Sequence, residues 1–552
     1  MNIFVQIYRH FTKTERRIFI GTILIFIISS GMLVFLLFHA VTTEIPAPSS
    51  QYVEGIVGQP IAINPIISGT NDVDRDLIEI LFSDLIDLSE AYKVSDDGQI
   101  WSVILKENLR WSDGKSLTSD DVIFTIDTIQ NTSTRSSLNQ MWRGVIVNRI
   151  SEREVEFTLR TPYSFFLDNL KELKIIPKHI FGVIPPENFR LSNFNLEPVG
   201  SGPYKFVSFE KLNNGFITKY NLTTNEYFAN HKPFIKDFKI AFYPTSIELI
   251  EAFNNGEING FGGIDPNKTY DINLGHLIIE KIIPQYYAIF LNKNANSNLE
   301  DENVIDALNL AVNREKIIKE VFDGRAMDIY QPILPIFSGY NIKVDSENLF
   351  SIEKANEKLN KTKWELNPET GFREKISKEK SEILEFSIIV PQVPFLTQTV
   401  EIIKNDFKEV GIKLNLIILN PTDVINEVLK NRNYEMILFG NIMKSNPDIF
   451  SFWHSSQRFY PGLNLSLYEN SKVDNLLESI RTNQDESLQV EDLSKLQTII
   501  SEDRPAIFLY SPIYLYIAPK SFGGFDEKVI NTPSDRFENI QNWHLKTTRV
   551  FK

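Results

Sequence analysis

Cysteine is missing from all 552 residues. That excludes a disulfide framework, a thiolate metal site, a cysteine nucleophile and a lipid-modified N-terminal cysteine. Histidine is sparse: the seven, at 10, 39, 179, 231, 276, 454 and 544, never stand three or four residues apart, so the usual zinc spacings are missing. No G-x-S-x-G nucleophile elbow and no Walker-type phosphate loop occurs. The glycine-rich spots at 200–202 and 260–263 lack the strand-to-helix setting of a phosphate cradle and read as turns. The acids Asp72, Asp74 and Asp76, Asp96 and Asp97, and Asp120 and Asp121 read as caps, turns and solvated faces; DVDRDLIE has no glycine for a calcium loop. We therefore expect no catalytic residue, no metal site, no cofactor and no enzyme activity.

Charge is missing from one stretch in particular. Residues 18–38, IFIGTILIFIISSGMLVFLLF, form an uncharged run of 21. As a helix it would reach roughly 31 Å, against a hydrocarbon core of about 30 Å. Arg9, Lys13, Arg16 and Arg17 precede it against a lone Glu15, and the first charge after it is Glu44. This asymmetry expects a cytoplasmic N-terminus of 17 residues, a transmembrane anchor at 18–38 and export of everything beyond. The rival is a cleaved secretory signal, but its apolar region would be long and its best cleavage point places Phe38 where a small residue is wanted. The first 17 residues carry +3 of the total −14, which leaves −17 on the exported part and disfavours nucleic acid or anionic lipid as partner.

The exported part is about 500 residues, too long for one core, so two or three domains are expected. Residues 41–51, VTTEIPAPSSQ, read as a short extended linker. Trp111-Ser112-Asp113-Gly114 supplies a turn, and Thr118 stands three residues before Asp121 as a capping-box start to a helix. Residues 154–159 and 383–390 read as strands, 397–410 as an amphipathic helix ended by Gly411, and 413–419 as a further strand. A helix at 423–429 and a strand at 434–439 follow. The strand–helix–strand unit implies a partly parallel sheet and an α/β fold class.

The segment LRWSDGKSLTSDDVIFTID at 109–127 resembles the signature of the family-5 extracellular solute-binding proteins, the peptide, oligopeptide and nickel binders of ABC importers. PVGSGPYKF at 198–206 and ALNLAVNREKIIKEVFDGRA at 307–326 are similar to further family segments. IEKANEKLNKTKW, VEIIKNDFKEVGIKLNLI, NYEMILFG, NPDIFSFWHSS at 446–456 and YENSKVDNLLESI also follow the family's pattern. The resemblance implies a two-lobed, periplasmic-binding-protein-like clamp with a hinge, preceded by the transmembrane helix. It places 39–51 as linker, 52–285 with 510–545 in the first lobe, and 286–509 in the second. Hinge crossings are expected near 284–289 and 508–512.

Such a protein would capture a peptide or similar nutrient by lobe closure and deliver it to an ABC permease in the same membrane, as a monomer. The alternative is an extracellular sensor or interaction module using the same clamp without transport. Trp111, Asp113, Gly114, Gly202 and Pro203 read as turn and packing residues. Expected ligand contacts are Ile66, Ser68, Thr70, Asn71, Trp142, Gln331, Asn441, Met443, Lys444 and Trp453. The resemblance also carries a departure. Peptide binders of the family have an aspartate four residues before the proline of the loop around Pro447, for the ligand's α-ammonium; here Met443 stands there, followed by Lys444. An ammonium buried without a carboxylate is unfavourable, so a free peptide N-terminus needs Asp448 or another acid as substitute. An N-blocked peptide, a sugar or an anionic solute is compatible with Lys444.

Overall fold

A computed structural model describes residues 11–69, 71–337, 350–377 and 380–552. The apolar run forms the core of a longer helix, Lys13–Val41, and none of its residues is buried against the rest of the protein. Among the described residues it is the one helix long and apolar enough to cross a membrane. Thr12 caps its start, with Glu15 reaching back to the Thr12 amide at 2.7 Å. Two of its hydroxyl residues bond within the helix, Thr22 donating to the Ile18 carbonyl at 2.9 Å and Ser29 to that of Ile25 at 2.8 Å. That is what an apolar surrounding demands of a polar group.

The segment expected as a linker is structured. Thr42–Ala47 forms an antiparallel ribbon with Lys546–Phe551, from Thr42 opposite Phe551 to Ala47 opposite Lys546. Arg549 reinforces it, bonding Thr42 at 3.0 Å and pairing with Glu44 at 2.9 Å. Ser49–Val57 then enters the main sheet directly, parallel to Ile235–Tyr243. An extended stretch leaves its backbone groups unpaired, and the C-terminal strand supplies the partners.

The two lobes share one twelve-stranded sheet. Its first-lobe part holds Ser49–Val57, Tyr204–Lys211, Ile217–Thr224, Ile235–Tyr243, Gly260–Gly262 and His276–Ile282. Its second-lobe part holds Gln285–Leu291, Ala326–Asp328, Glu385–Pro391, Lys413–Leu419 and Met436–Ile442. Glu385–Pro391 and Lys413–Leu419 are parallel and joined by the helix Pro394–Glu409, the unit legible in the sequence. The expected helix at 423–429 is a π-helical turn, Val424–Leu429.

One strand, Ala506–Pro519, belongs to both lobes. Its first half pairs with Gln285–Leu291 and Ala326–Asp328, its second half with His276–Ile282 and Gly260–Gly262. It is buried along its length except at Pro512, Ile513 and its last residue. The chain's other passage, between His276–Ile282 and Gln285–Leu291, runs through Ile283 and Pro284. Each passage therefore carries a proline, which cannot donate to a sheet ladder and so interrupts it where the lobes meet.

The first lobe packs a large core around Tyr52, Phe238 and Trp543, and includes a four-stranded antiparallel sheet containing Ile100–Leu105 and Glu154–Thr158. The second lobe has a core on each face of its sheet. The helix Ser119–Gln130 starts at the Thr118–Asp121 capping box. Around it the sequence motifs have structural work. Trp111 is fully buried, and Gly114 turns the chain at φ +85°. At Gly200 an added Cβ would lie 1.9 Å from the Leu81 carbonyl oxygen, so only glycine lets these backbones meet.

Candidate ligand-binding cleft between the lobes

A cavity of about 790 Å³ opens between the lobes. The first-lobe wall begins where Glu154–Thr158 ends. The chain runs through Leu159–Arg160–Thr161 and makes an excursion onto the second lobe. There the Ser164 amide donates to the Arg481 carbonyl at 2.8 Å, and its hydroxyl to that of Asn483 at 2.5 Å. Phe165 buries itself in a second-lobe core. The short helix Phe166–Glu172 then turns back and presents Asp168, Asn169 and Glu172 to the cavity.

The opposite wall is the loop after Met436–Ile442. Ile442, Met443, Lys444, Asn446 and Asp448 line it, followed by Phe450 and Phe452. The Met443 amide donates to the Pro284 carbonyl at 2.7 Å, tying this loop to the crossing point between the lobes. Lys444 has φ +59°, a conformation costly for a non-glycine residue by on the order of 1 kcal/mol. It is held there by an ion pair with Glu172 of the first lobe at 2.5 Å.

Three further polar contacts cross the cleft or brace it. The Tyr163 hydroxyl donates to Asp448 at 2.9 Å. Asn446 donates to Asp168 at 3.0 Å. Within the second lobe Arg481 grips Asp448, Nε at 2.9 Å from each oxygen and Nη2 at 2.8 Å, with its guanidinium 3.8 Å over the Phe450 ring. Burial, then the nearby Asp448 carboxylate, raise the Tyr163 phenol well above its ordinary range, so it stays a donor.

The expected contact residues separate sharply. Met443 and Lys444 stand on the cavity wall. Ile66 and Trp142 lie in the first-lobe core, and Trp453 in a second-lobe core. Asn71 caps the helix Asp72–Leu81, accepting from Val73 at 3.1 Å. Ser68 is half-buried beside it, its amide donating to Asn64. Asn441 is buried and donates to Tyr286 at 3.0 Å. Gln331 is half-buried away from this cavity, and Thr70 lies outside the described residues. The wall residues that sequence reasoning passed over are Arg143, Arg160, Tyr163, Asp168, Glu172 and Arg481. Asp448, weighed as a substitute acid, is already committed to Arg481 and Tyr163.

The chain is similar along its length to known proteins. The oligopeptide-binding protein AppA of Bacillus subtilis is 26% identical over 520 residues, covering 91% of this chain and 92% of that one. The solved structure of that protein in complex with a nonapeptide superposes with a TM-score of 0.72 at 24% identity, over 91% of this chain and all of the other. NikA from Brucella suis, in complex with Fe(III)-EDTA, gives a TM-score of 0.77 at 19% identity over 90% of this chain and all of the other. These structures show the same two-lobed architecture. The profile of the bacterial extracellular solute-binding proteins, family 5 (middle region), matches residues 86–459, and the chain belongs to that family.

Proposed function

We propose that this protein is a membrane-anchored, extracytoplasmic receptor that captures a peptide or similar nutrient by lobe closure and hands it to an ABC permease in the same membrane. The observation that carries the proposal is a cavity with charged side chains on both walls, one wall from each lobe, and two proline-marked crossings that join the lobes. A ligand in that cavity touches both walls only when they approach, so it favours the closed arrangement by its differential contacts. Met443 and Lys444 are proposed ligand neighbours, and Pro284 and Pro512 the pivots. Peptide as the ligand class is supported by the AppA relative. The Lys13–Val41 helix, uncleaved, would be the tether, with a monomer as the working unit.

The test is mass spectrometry of small molecules released from the protein extracted in mild detergent, paired with the melting shift each produces on adding it back. Anything that binds the native state alone raises the melting temperature by mass action. Recovery of a peptide or other nutrient that raises it supports the proposal. If nothing co-purifies and no member of a peptide, sugar and metal-chelate library shifts the melt, the proposal fails.

A further inference from the structure

Among the described residues, every carboxylate lining the cavity is engaged, and two of its cations are not. Asp448 is held by Arg481 and Tyr163, and Glu172 by Lys444. Asp168 accepts from Asn446 at 3.0 Å, with Lys171 at 3.5 Å. Arg143 and Arg160 line the same cavity, and neither has an ion pair or a hydrogen bond to the protein. Arg160 reaches the backbone of the residue that follows Arg143. Arg160 lies against Gly144, where an added Cβ would be 2.8 Å from its Nε, so the glycine makes room for the guanidinium next to Arg143.

We infer that the ligand is recognised through a carboxylate seated on Arg143 and Arg160, and that an α-ammonium is not required. This rests on the solute-binding reading of the cavity and specifies what it selects. A planar guanidinium with free donors matches a carboxylate by paired, charge-assisted hydrogen bonds. An incoming ammonium would meet only carboxylates that already have partners, Asp448 with Arg481, Glu172 with Lys444, and Asp168 with Asn446 and Lys171, so it would gain less there than at an unpartnered acid. Lys444, the residue sequence reasoning favours for an anion, is already neutralised by Glu172. The carboxylate can come from a peptide C-terminus, an acidic side chain or a small polycarboxylic acid.

The experiment equilibrates the full chain in detergent with six probes. Four are random peptide pools of three to nine uncharged residues: free at both ends, N-acetylated, C-amidated, and blocked at both ends. The fifth is the doubly blocked pool with one glutamate added, and the sixth is citrate. Retained material is quantified by mass spectrometry. The N-acetylated free acids are expected to be retained about tenfold or more over the doubly blocked peptides, and no worse than peptides free at both ends. Preference for the glutamate pool or citrate instead assigns the carboxylate to a side chain or a small acid and equally supports the site.

The double variant R143Q/R160Q alters two exposed side chains and is expected to keep the wild-type melting temperature while the preference falls to near one. Equal retention of the doubly blocked pool and the free acids overturns the carboxylate site but leaves the receptor standing. So does a tenfold preference that survives in R143Q/R160Q. Retention of no probe at all overturns the inference together with the peptide reading.

Discussion

Replacing Tyr163 by phenylalanine removes a single oxygen from the cleft, and with it the bond from the first lobe to Asp448. The ring stays, with its edge contact to Phe165 at 5.9 Å and the Arg481 guanidinium 5.7 Å above it. Asp448 keeps Arg481, so no buried charge is left without a partner. A hydrogen bond to a charged acceptor contributes about 1.5–3 kcal/mol, and the surviving Arg481 grip puts the loss at the lower end. About 1.5 kcal/mol is roughly a tenfold shift of the open–closed equilibrium toward open. The Lys444–Glu172 pair is a poorer lever, because both side chains are a third or more exposed and such pairs contribute about 0–1 kcal/mol.

The absence of cysteine makes this measurable. Cysteines introduced at Asn213 on the first lobe and Lys361 on the second, both exposed, take spin labels with no background thiol. Pulsed electron resonance then gives the distribution of inter-lobe distances. Tyr163→Phe is expected to raise the long-distance population of the ligand-free protein and to weaken ligand retention by roughly tenfold. An unchanged distance distribution, with unchanged retention, refutes the claim that this bond favours closure.

Three further outcomes follow from the first lobe. Two buried cations on either side of the helix Asp72–Leu81 each face two carboxylates, Arg536 with Glu54 and Asp76, Lys174 with Glu79 and Asp84. Burial pushes Glu54 up to about 7, and Glu538 near Lys174 likewise to about 7. These groups bind protons in the folded state that the unfolded chain has released above about pH 5, so stability should fall as pH rises from 6 to 8, by about 1 kcal/mol per unit. Urea unfolding at the two ends of that range checks the sign, and Glu54→Gln should flatten the slope. Gly200→Ala, whose methyl would strike the Leu81 carbonyl, should cost about 3 kcal/mol in the same assay; a loss under 1 kcal/mol would mean the two backbones can part easily. Deleting 546–552 strips the ribbon partner from Thr42–Ala47 and should raise proteinase K cleavage between helix and lobe by about tenfold, with the ectodomain melt little changed.

What the sequence made legible were local patterns with local causes. The Thr118–Asp121 box and the strand–helix–strand unit over 383–419 are set by spacing alone, and both stand where that spacing puts them. The cleft is a different kind of object. Its pairs join residues 272–319 positions apart, and nothing near Tyr163, Ser164 or Glu172 marks them as facing Asp448, Arg481 or Lys444. Trp142 and Trp453 are among the expected contacts, but a tryptophan's large apolar area suits a core equally, and both reside in one. Nothing in the sequence around Arg143 or Arg160 distinguishes them from other surface charges. Their meaning depends on which carboxylates are already taken, a fact of the fold rather than of the sequence.

As the proposed anchor, the helix Lys13–Val41 would have a mechanical consequence for the clamp. From Val41 the chain passes into the ribbon with the C-terminal strand, and one residue later into Ser49–Val57, a strand inside the first-lobe sheet. The Lys552 amide donates back to the Val41 carbonyl at 2.9 Å, so the C-terminal strand is bonded to the point where the helix stops. A slack tether would let the whole molecule tumble, whereas this junction would couple a membrane-held helix to the first lobe alone. With the first lobe so held, the proposed closure about Pro284 and Pro512 would be a swing of the second lobe, carrying Lys444 and Asp448 toward Glu172 and Tyr163. The wall bearing Arg143 and Arg160 would then stay with the first lobe. A carboxylate would be caught on the stationary wall first and covered by the moving one after. That order predicts that R143Q/R160Q slows capture, while Tyr163→Phe speeds release.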